Sequence, residues 1–303
     1  MKYEKEFTVA LAGNPNVGKS TVFNALTGLK QHTGNWVGKT VGNAEGSYTY
    51  NNNKYLITDL PGTYSLCAHS AEEIIACRHI CLEKPDVTVI VCDASCLERN
   101  LNLVLQITEI TSKAVLCVNM MDEAEKKNIK TDITKLSQQL GIPVAATSAR
   151  SKKGLDKLMQ TIESVALSKE SNDITLIYTS RIENAISELL PLTEKIETDS
   201  RTKRFICLKL LQGDRDTVDS LCKKYGTDEN YLKALISAAD KLTDNSFTDE
   251  IISCIFITAE GIAAECVKHS ADKKYVRDRK IDRILTGKLT GIPIMLLLSL
   301  IHI

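Results

Sequence analysis

The chain has 303 residues, and at roughly 150 residues per domain this length suggests two domains. Its 38 Lys and Arg balance its 38 Asp and Glu, so overall charge favours neither nucleic acid nor an acidic partner. Ten cysteines are scattered, which is typical of a reducing cytosol, and five of them are expected to pack as small apolar groups: Cys92, Cys117, Cys207, Cys254 and Cys266. Charges in MKYEKEFTVALAG argue against a secretion signal.

Strand-like and helix-like stretches alternate through the first half of the chain. A β-prone run at 7–12 comes first, and further short strands are predicted at 55–58, 87–92, 114–118 and 143–146. Apolar residues at helical spacing predict helices at 71–82, 97–111, 132–140 and 155–166. This alternation predicts an α/β fold with a mostly parallel sheet flanked by helices, whose ligands bind at the carboxyl ends of the strands.

The pattern becomes helical from about residue 170. Apolar positions recur every three or four residues at 181–190, 216–224, 231–242 and 248–266, which predicts a smaller all-α domain. The predicted boundaries are 1–168 for the α/β domain, 169–272 for the helical domain and 273–303 for a final segment. That segment has seven Lys or Arg against two Asp at 273–288 and ends in IPIMLLLSLIHI at 292–303. These last 12 residues would form a helix of about 18 Å, too short for a hydrocarbon core of about 30 Å.

A phosphate-binding loop is predicted between the first strand and the helix that follows it. The stretch GNPNVGKS has the G-x-x-x-x-G-K-[ST] spacing, in which backbone N–H groups and a helix amino terminus surround an anion. Lys19 would add a charge for the outer phosphates, and the Ser20 hydroxyl would ligate Mg²⁺. The predicted phosphate-binding residues are Gly13, Asn14, Pro15, Asn16, Val17, Gly18, Lys19, Ser20 and Thr21.

Two motifs after later strands predict that the base is guanine. In Asn119-Met120-Met121-Asp122, the carboxylate of Asp122 can accept hydrogen bonds from two adjacent guanine N–H donors, whereas adenine would leave it unpaired. Thr147, Ser148 and Ala149 are expected to supply backbone N–H groups to the guanine carbonyl. The sequence therefore predicts binding of GTP and GDP.

Two further segments are predicted to contact the γ-phosphate and the metal. In Asp59-Leu60-Pro61-Gly62, Asp59 would hold Mg²⁺ through water and the Gly62 N–H would meet the γ-phosphate. A glycine-rich stretch from Gly28 to Gly46 is predicted to be a mobile loop that orders around the ligand, with Gly38 and Lys39 near the nucleotide and Thr40 as a second Mg²⁺ ligand. A flexible surface loop with Trp36 as a local apolar plug is the alternative. The predicted catalytic residues are Lys19, Thr40 and Gly62.

These motifs, in this order, resemble the G domain of the bacterial ferrous iron transport protein B family. The resemblance rests on GNPNVGKST, HTGNWVGKTVGNAEG, TDLPGTYSL, NMMDEA and TSA, followed by a helical domain and IDRILTGKLTGIPI. It implies a P-loop GTPase whose helical domain tunes the nucleotide state, on the cytoplasmic face of the bacterial inner membrane. The implied partners are the chain's own membrane permease for Fe²⁺ and small cytosolic accessory proteins. The membrane would lie at the carboxyl-terminal end, and no nucleic acid is expected.

The resemblance also implies an activating K⁺ ion. Asn16 matches the family's K⁺-binding asparagine, and the backbone carbonyls of Gly34 and Trp36 would complete the site; a simple turn-forming role for Asn16 is the alternative. Thr63 stands where many signalling GTPases place a water-orienting Gln, so slow intrinsic hydrolysis is expected.

Three alternatives remain open from the sequence. The chain could be a freestanding cytosolic GTPase of the ribosome-assembly type, or a nucleotide-dependent protein-binding switch with little turnover. The third is a metal cluster at Cys77, His79 and Cys81, with His69 upstream, although no paired C-x-x-C accompanies these residues.

Overall fold

The computed structural model describes residues 3–28, 31–35, 42–66, 70–168, 176–244 and 246–269. The strands in chain order are β1 (Glu6–Gly13), β2 (Gln31–Asn35), β3 (Gly42–Tyr50), β4 (Asn53–Asp59), β5 (Val87–Asp93), β6 (Ala114–Asn119), β7 (Ile129–Thr131), β8 (Val144–Ala146) and β9 (Val267–His269). The α-helices are α1 (Lys19–Thr27), α2 (Ala71–Arg78), α3 (Leu97–Ile110), α4 (Met121–Lys126), α5 (Ile133–Leu140), α6 (Leu155–Leu167), α7 (Ser180–Leu189), α8 (Ser200–Leu211), α9 (Arg215–Lys224), α10 (Glu229–Leu242) and α11 (Phe247–Cys266).

Within the described ranges, the main sheet has seven strands in the order β2-β3-β4-β1-β5-β6-β8. The ladders from β4 through β8 are parallel, and β1 lies between β4 and β5, with Leu11 opposite Asp59 and Gly13 opposite Val91. Because parallel strands share one carboxyl edge, the polar residues at the ends of β1, β4 and β6 lie along the same side of the sheet. The predicted α/β fold with a mostly parallel sheet is confirmed.

The glycine-rich stretch from Gly28 to Gly46 is not a simple loop, and this prediction was wrong in part. Residues 31–35 form β2 and residues 42–46 begin β3, and the two strands pair antiparallel with Gly34 opposite Asn43. β3 also pairs antiparallel with β4, so the sheet gains two antiparallel strands at one edge. The sequence did not predict these two strands, because polar and small residues predominate in them and few large apolar residues mark a strand.

Alternate residues of the central strands pack into two different hydrophobic clusters. Val9, Leu11 and Val89 face α1 and α6 on one side of the sheet, while Ala10 and Ile90 face α2 and α3 on the other. Side chains of neighbouring strand residues point to opposite faces, and both faces are covered, so the strands are apolar throughout. The helices packed on both faces of the sheet thus hold the carboxyl ends of its strands in place.

The helical half shares its core with the α2 and α3 side of the sheet. Buried residues of α7, α8 and α11 belong to the same cluster as those of α3, so no solvent layer separates the two halves. The four predicted helices of this half correspond to α7, α9, α10 and α11. α8 was not predicted, because its polar residues Lys203, Arg204 and Lys209 obscure the apolar period.

Two smaller predictions are also refined. The helix expected at 71–82 is α-helical only to Arg78 and continues as a π-helical turn, His79–Glu83. Of the five cysteines expected to pack in the core, four are buried and Cys254 is half-buried. The described residues contain no cluster of three or more potential metal ligands, and the thiols of Cys77 and Cys81 lie 3.8 Å apart.

Several predicted features lie outside the described residues: His69, the basic segment 273–288 and the apolar run 292–303. Within the described ranges, no helix has the length and apolar character needed to span a bilayer.

Candidate nucleotide-binding site

The phosphate loop leaves β1 at Gly13 and enters α1 at Lys19. Gly18 adopts a left-handed conformation with φ 81°, and a Cβ atom there would lie 2.5 Å from Nδ2 of Asn119. Only glycine fits both the backbone angle and this close approach. The loop is therefore shaped so that its backbone, rather than side chains, lines the space at the amino terminus of α1.

The side chains of the loop divide into buried and exposed groups. Asn14 and Val17 are each 3% exposed, and the buried side-chain oxygen of Asn14 has no hydrogen-bond partner among the described residues. Pro15 is half-buried, whereas Asn16, Ser20 and Thr21 are exposed. Asn16 has φ 66°, a left-handed angle that asparagine tolerates better than most residues. The tip of the loop, at Asn16, is thus exposed, while Asn14 and Val17 on either side of it are buried and fix its position.

Lys19 connects the phosphate loop to the end of β4. Its Nζ forms an ion pair with Asp59 Oδ1 and donates to the carbonyl oxygen of Leu60. The Ser20 hydroxyl donates to Asp59 Oδ2 at 3.2 Å. Because Lys19 is only 9% exposed, its ammonium group needs these anionic and polar partners. The two sequence motifs predicted to share the phosphates and the metal are therefore in direct contact.

The segment after Asp59 lies against the phosphate loop. The Leu60 N–H donates to Leu11 O at 2.9 Å, and the Thr63 N–H donates to Gly13 O at 3.2 Å. A Cβ on Gly62 would lie 3.3 Å from the backbone of Pro15, so this glycine permits the close approach. Pro61 is half-buried beside it. The predicted γ-phosphate contact at Gly62 is thus located next to the loop that would hold that phosphate.

Asn119 at the end of β6 joins three segments. Its side-chain nitrogen donates to Val17 O at 3.1 Å, and its oxygen accepts hydrogen bonds from the Thr147 hydroxyl at 3.1 Å and the Ala149 N–H at 3.0 Å. Asn119 is 2% exposed, and both polar atoms of its amide have hydrogen-bond partners inside the protein. It therefore has a structural role, fixing the distance between the phosphate loop and the base motifs.

Asp122 occupies the first turn of α4, with its side chain half-buried. Its N–H donates to the Ser148 hydroxyl at 3.2 Å, and Met120 before it has φ 60°, which turns the chain sharply from β6 into the helix. A cavity of about 730 Å³ lies beside this turn and is lined by Asp122, Thr147, Ser148 and residues of β7. This volume is within the range of small-molecule sites.

The N–H groups of Thr147, Ser148 and Ala149 all have partners within the protein. They donate to Val118 O, Lys153 O and Asn119 Oδ1, respectively, at 2.8 to 3.0 Å. Donation of these N–H groups to a guanine carbonyl stays a prediction, and it would require at least one of them to exchange its protein partner for the base. Thr147 also contacts the Cys117 thiol at 3.3 Å, and burial raises the pKa of that thiol to about 12, so it packs as a neutral group.

Four predicted site residues, Trp36, Gly38, Lys39 and Thr40, lie outside the described residues. Gly34 is in β2, where its backbone pairs with Asn43.

Sequence reasoning missed a contact between the two halves next to the site. The Leu66 N–H donates to Gln106 Oε1 at 2.7 Å, and its carbonyl oxygen accepts a hydrogen bond from Lys209 Nζ, also at 2.7 Å. The Lys209 ammonium is buried and also pairs with Asp214 at 3.3 Å. The segment that follows Gly62 is thus held by α3 on one side and α8 on the other. No sequence signal distinguishes Lys209 from the many surface lysines.

Two family models match the chain. The model described as ferrous iron transport protein B matches residues 7–162, and the FeoB cytosolic helical domain model matches residues 178–268. The chain belongs to the ferrous iron transport protein B family. The resemblance stated from the motifs is thereby confirmed, and the chain comprises the G domain and the cytosolic helical domain of that family.

Relatives of the FeoB family match over almost the whole chain. The Fe(2+) transport protein A/Fe(2+) transporter FeoB fusion protein of Porphyromonas gingivalis is 36% identical over 97% of this chain and 36% of its own length. The Fe(2+) transporter FeoB of Salmonella typhimurium is 31% identical over 96% of this chain and 37% of its own length. The chain therefore spans little more than a third of these relatives.

Solved structures of FeoB cytosolic domains have the same fold. The cytosolic domain of the T. maritima FeoB iron transporter in its apo form is 32% identical, with a TM-score of 0.72 over 87% of this chain and 100% of that chain. The GMPPNP form of the same T. maritima domain gives 33% identity and a TM-score of 0.73, over 86% of this chain and 99% of that chain. A variant of S. thermophilus NFeoB bound to GDP gives 29% identity and a TM-score of 0.73, over 86% and 100%.

Proposed function

We propose that this chain binds GTP with Mg²⁺ and hydrolyses it to GDP and phosphate, as the cytosolic module of a bacterial ferrous iron transporter. The observation that supports this most is the direct contact of the phosphate loop with both other motifs. Lys19 pairs with Asp59, and Val17 accepts from Asn119. These contacts hold the loop that would bind the phosphates beside both the Asp59 segment and the motif that would bind the base. FeoB cytosolic domains with GDP and GMPPNP support the same ligand class.

The chain's residues suit phosphoryl transfer to water. Lys19 provides positive charge at the β- and γ-phosphates, and the Gly62 N–H provides a donor for the γ-phosphate oxygens, which gain charge in the transition state. The Asp122 carboxylate selects guanine through two N–H donors. Because Thr63 stands in place of a water-orienting Gln, we propose that intrinsic hydrolysis is slow.

The metal predictions fit the donor atoms at the site. Ser20 Oγ and an Asp59 carboxylate oxygen lie 3.2 Å apart, and hard oxygen donors of this kind suit Mg²⁺, which would neutralise phosphate charge. Thr40 is proposed as its second protein ligand. For the proposed K⁺, the donors would be the side-chain oxygen of the exposed Asn16 and the backbone carbonyl oxygens of Gly34 and Trp36.

We further propose that nucleotide state is coupled to Fe²⁺ uptake by the permease. The relatives are named Fe(2+) transporters and are almost three times as long, so the remaining length is available for that permease. The proposed divisions are residues 1–168, 169–272 and 273–303, with the last at the membrane on the cytoplasmic face. Small accessory proteins remain proposed partners. Family membership favours this function over the ribosome-assembly alternative.

The test is GTP hydrolysis by the full chain, measured as phosphate release with Mg²⁺ in matched KCl and NaCl. We expect slow turnover that is faster in K⁺. Equal rates in both salts would remove the monovalent-ion site while leaving the GTPase assignment intact. A chain that binds GTP tightly without measurable turnover in either salt would instead support the protein-binding switch.

A further inference from the structure

The last strand of the described chain returns to the base side of the nucleotide site. β9 follows α11 without a break and pairs antiparallel with β7, in the register Ile129–His269, Lys130–Lys268 and Thr131–Val267. β7 begins two residues after α4, the helix whose first turn contains Asp122. Backbone hydrogen bonds thus join the end of the helical half to β7, the strand that follows the helix containing Asp122.

The pairing pattern identifies which hydrogen bonds hold the two strands. The Asp132 N–H donates to Cys266 O at 2.9 Å, so these opposite residues form a hydrogen-bonded pair. Because such pairs alternate in an antiparallel ladder, Lys130 and Lys268 form the next one, in which the Lys268 N–H donates to Lys130 O. Val267 before it is extended, with φ −109° and ψ 122°.

Side chains reinforce the ladder on the side of α5. Glu265 Oε2 pairs with Lys135 Nζ at 3.0 Å and accepts from Gln139 Nε2 at 3.0 Å, while the adjoining Cys266 is 1% exposed. The carboxyl end of α11 is therefore fixed to the G domain and not only to its own helical bundle. Residues 270–303, with the basic segment, begin at this point.

The cavity beside Asp122 connects the base motif to this ladder. Asp122, Thr147, Ser148 and the residues of β7 all line it. A base that engages Asp122 limits the motion of α4, and α4 is separated from β7 by only two residues. The three-residue ladder is short, so its opening free energy is expected to be low and sensitive to such a restraint.

We propose that the β7–β9 ladder links occupancy of the base side of the nucleotide site to the position at which the chain leaves its helical half. This inference rests on the proposed function, because it requires that a guanine nucleotide binds. It differs from a signal that starts at the γ-phosphate, since GDP alone stabilises the ladder. Linkage is reciprocal, so opening the ladder weakens GDP binding by the same factor.

The first test is hydrogen exchange of the full chain with and without GDP and Mg²⁺, after calorimetry has established GDP binding. We expect peptides covering 129–132 and 266–269 to exchange several-fold more slowly with GDP, while peptides from α9 serve as the internal reference. If calorimetry detects no GDP binding, the proposed function fails and the inference fails with it. If GDP binds and the exchange of these peptides is unchanged, the inference alone is overturned.

The second test removes one hydrogen bond of the ladder. Lys268→Pro eliminates the N–H of residue 268, and the extended Val267 is compatible with a following proline. Lys268→Ala is the matched control that keeps the N–H. We expect Lys268→Pro to weaken GDP binding about fivefold, and Lys268→Ala to bind as the wild type does. Circular dichroism distinguishes this from unfolding, and equal GDP affinities for the two folded variants would overturn the inference.

Discussion

The side-chain nitrogen of Asn119 donates to the carbonyl oxygen of Val17 at 3.1 Å, and this bond ties the end of β6 to the phosphate loop. Asn119→Ala would leave the buried Ala149 N–H and the Val17 carbonyl without this partner. We expect a loss of about 3 kcal/mol in the free energy of unfolding, together with weaker GTP binding. Denaturant unfolding measures the first, and calorimetry the second.

Asn102→Ala is the control for that prediction. Asn102 in α3 is also buried, but its side-chain oxygen has no hydrogen-bond partner within the part of the chain that the structure describes. The loss of stability should therefore be clearly smaller. An Asn119→Ala protein as stable as the wild type would contradict the joining role of this residue.

Asp122→Asn should change base preference. An amide offers one acceptor and one donor in place of two acceptors, so it mismatches guanine and matches xanthine better. We expect GTP affinity to fall between ten- and a hundredfold, roughly the loss of one charged hydrogen bond, and xanthosine triphosphate to bind more tightly than GTP. Competition binding measures both, and Asp156→Asn, at an exposed position in α6, is the control. Unchanged preference would contradict guanine recognition by Asp122.

Lys19→Ala should abolish measurable nucleotide binding. The substitution removes the charge for the outer phosphates and leaves Asp59 without its cationic partner. We expect at least a hundredfold loss of affinity in calorimetry, compared with Lys5→Ala, which removes an exposed lysine before β1. A thermal melt separates this effect from unfolding. Normal binding by a folded Lys19→Ala protein would show that the phosphate loop has another function.

Substitution of Asn16 should remove K⁺ stimulation. Asn16 has φ 66°, so Asn16→Gly deletes the side chain without straining the backbone, whereas alanine would add strain. We expect the Gly variant to hydrolyse GTP at the same slow rate in KCl and NaCl, with GDP affinity nearly unchanged. Asn128→Gly, another left-handed asparagine, is the matched control and should keep the difference between the salts. Stimulation that persists in Asn16→Gly would favour the turn-forming role.

Asp199 should make stability depend on pH. Partial burial acts to raise the pKa of this carboxyl, but hydrogen bonds from Lys84 and Thr202 outweigh it and hold the pKa well below its ordinary value of 3.8. The stabilisation is therefore complete above about pH 4 and is lost as the pH falls from there towards the folded-state pKa. Both partners of the Lys84 ion pair are about half exposed, so its contribution is at most about 1 kcal/mol.

The measurement for Asp199 is denaturant unfolding of the wild type and Asp199→Asn between pH 3 and 7. We expect the wild type to be more stable at pH 7 and the difference to shrink below pH 4. Asp228→Asn is the control: Asp199 caps the amino terminus of α8 and Asp228 that of α10, but Asp228 forms no ion pair among the described residues. A difference that grows as the pH falls would contradict the direction given for the Asp199 pKa.

The sequence predicted the parallel part of the fold because those strands are buried on both faces. Nearly every position is apolar in β5 and β6, Val87–Asp93 and Ala114–Asn119. These strands could therefore be recognised without knowing which strands they pair with. β2 and β3 were missed because their glycines, Gly34, Gly42 and Gly46, are typical of a loop. The two strands form because β3 pairs with β4 and β2 pairs with β3. The antiparallel edge is a property of tertiary structure more than of local preference.

The roles proposed for Lys19, Asp59 and Asp122 follow from the groups that a nucleotide requires, and they stay predictions. The structure shows that Lys19 and Asp59 are in contact. The internal role of Asn119 and the pairing of the Ala149 N–H could not be predicted, because they depend on distances between segments that are about 100 and 30 residues apart. The β7–β9 ladder was missed for the same reason, since three-residue strands have no recognisable period.

Leu66 is hydrogen-bonded to Gln106 in the G domain and to Lys209 in the helical half, and this matters when the chain is divided into fragments. Lys209 lies in α8, yet the carbonyl oxygen that accepts from it belongs to the segment after Gly62. In a fragment that contains only the helical half, the apolar side of α8 would be exposed. Lys209 would then lose the Leu66 carbonyl oxygen and be hydrated instead. Two fragments produced by cutting the chain between the halves would therefore each tend to aggregate. Co-expressing the two fragments should give more soluble protein than expressing either fragment alone.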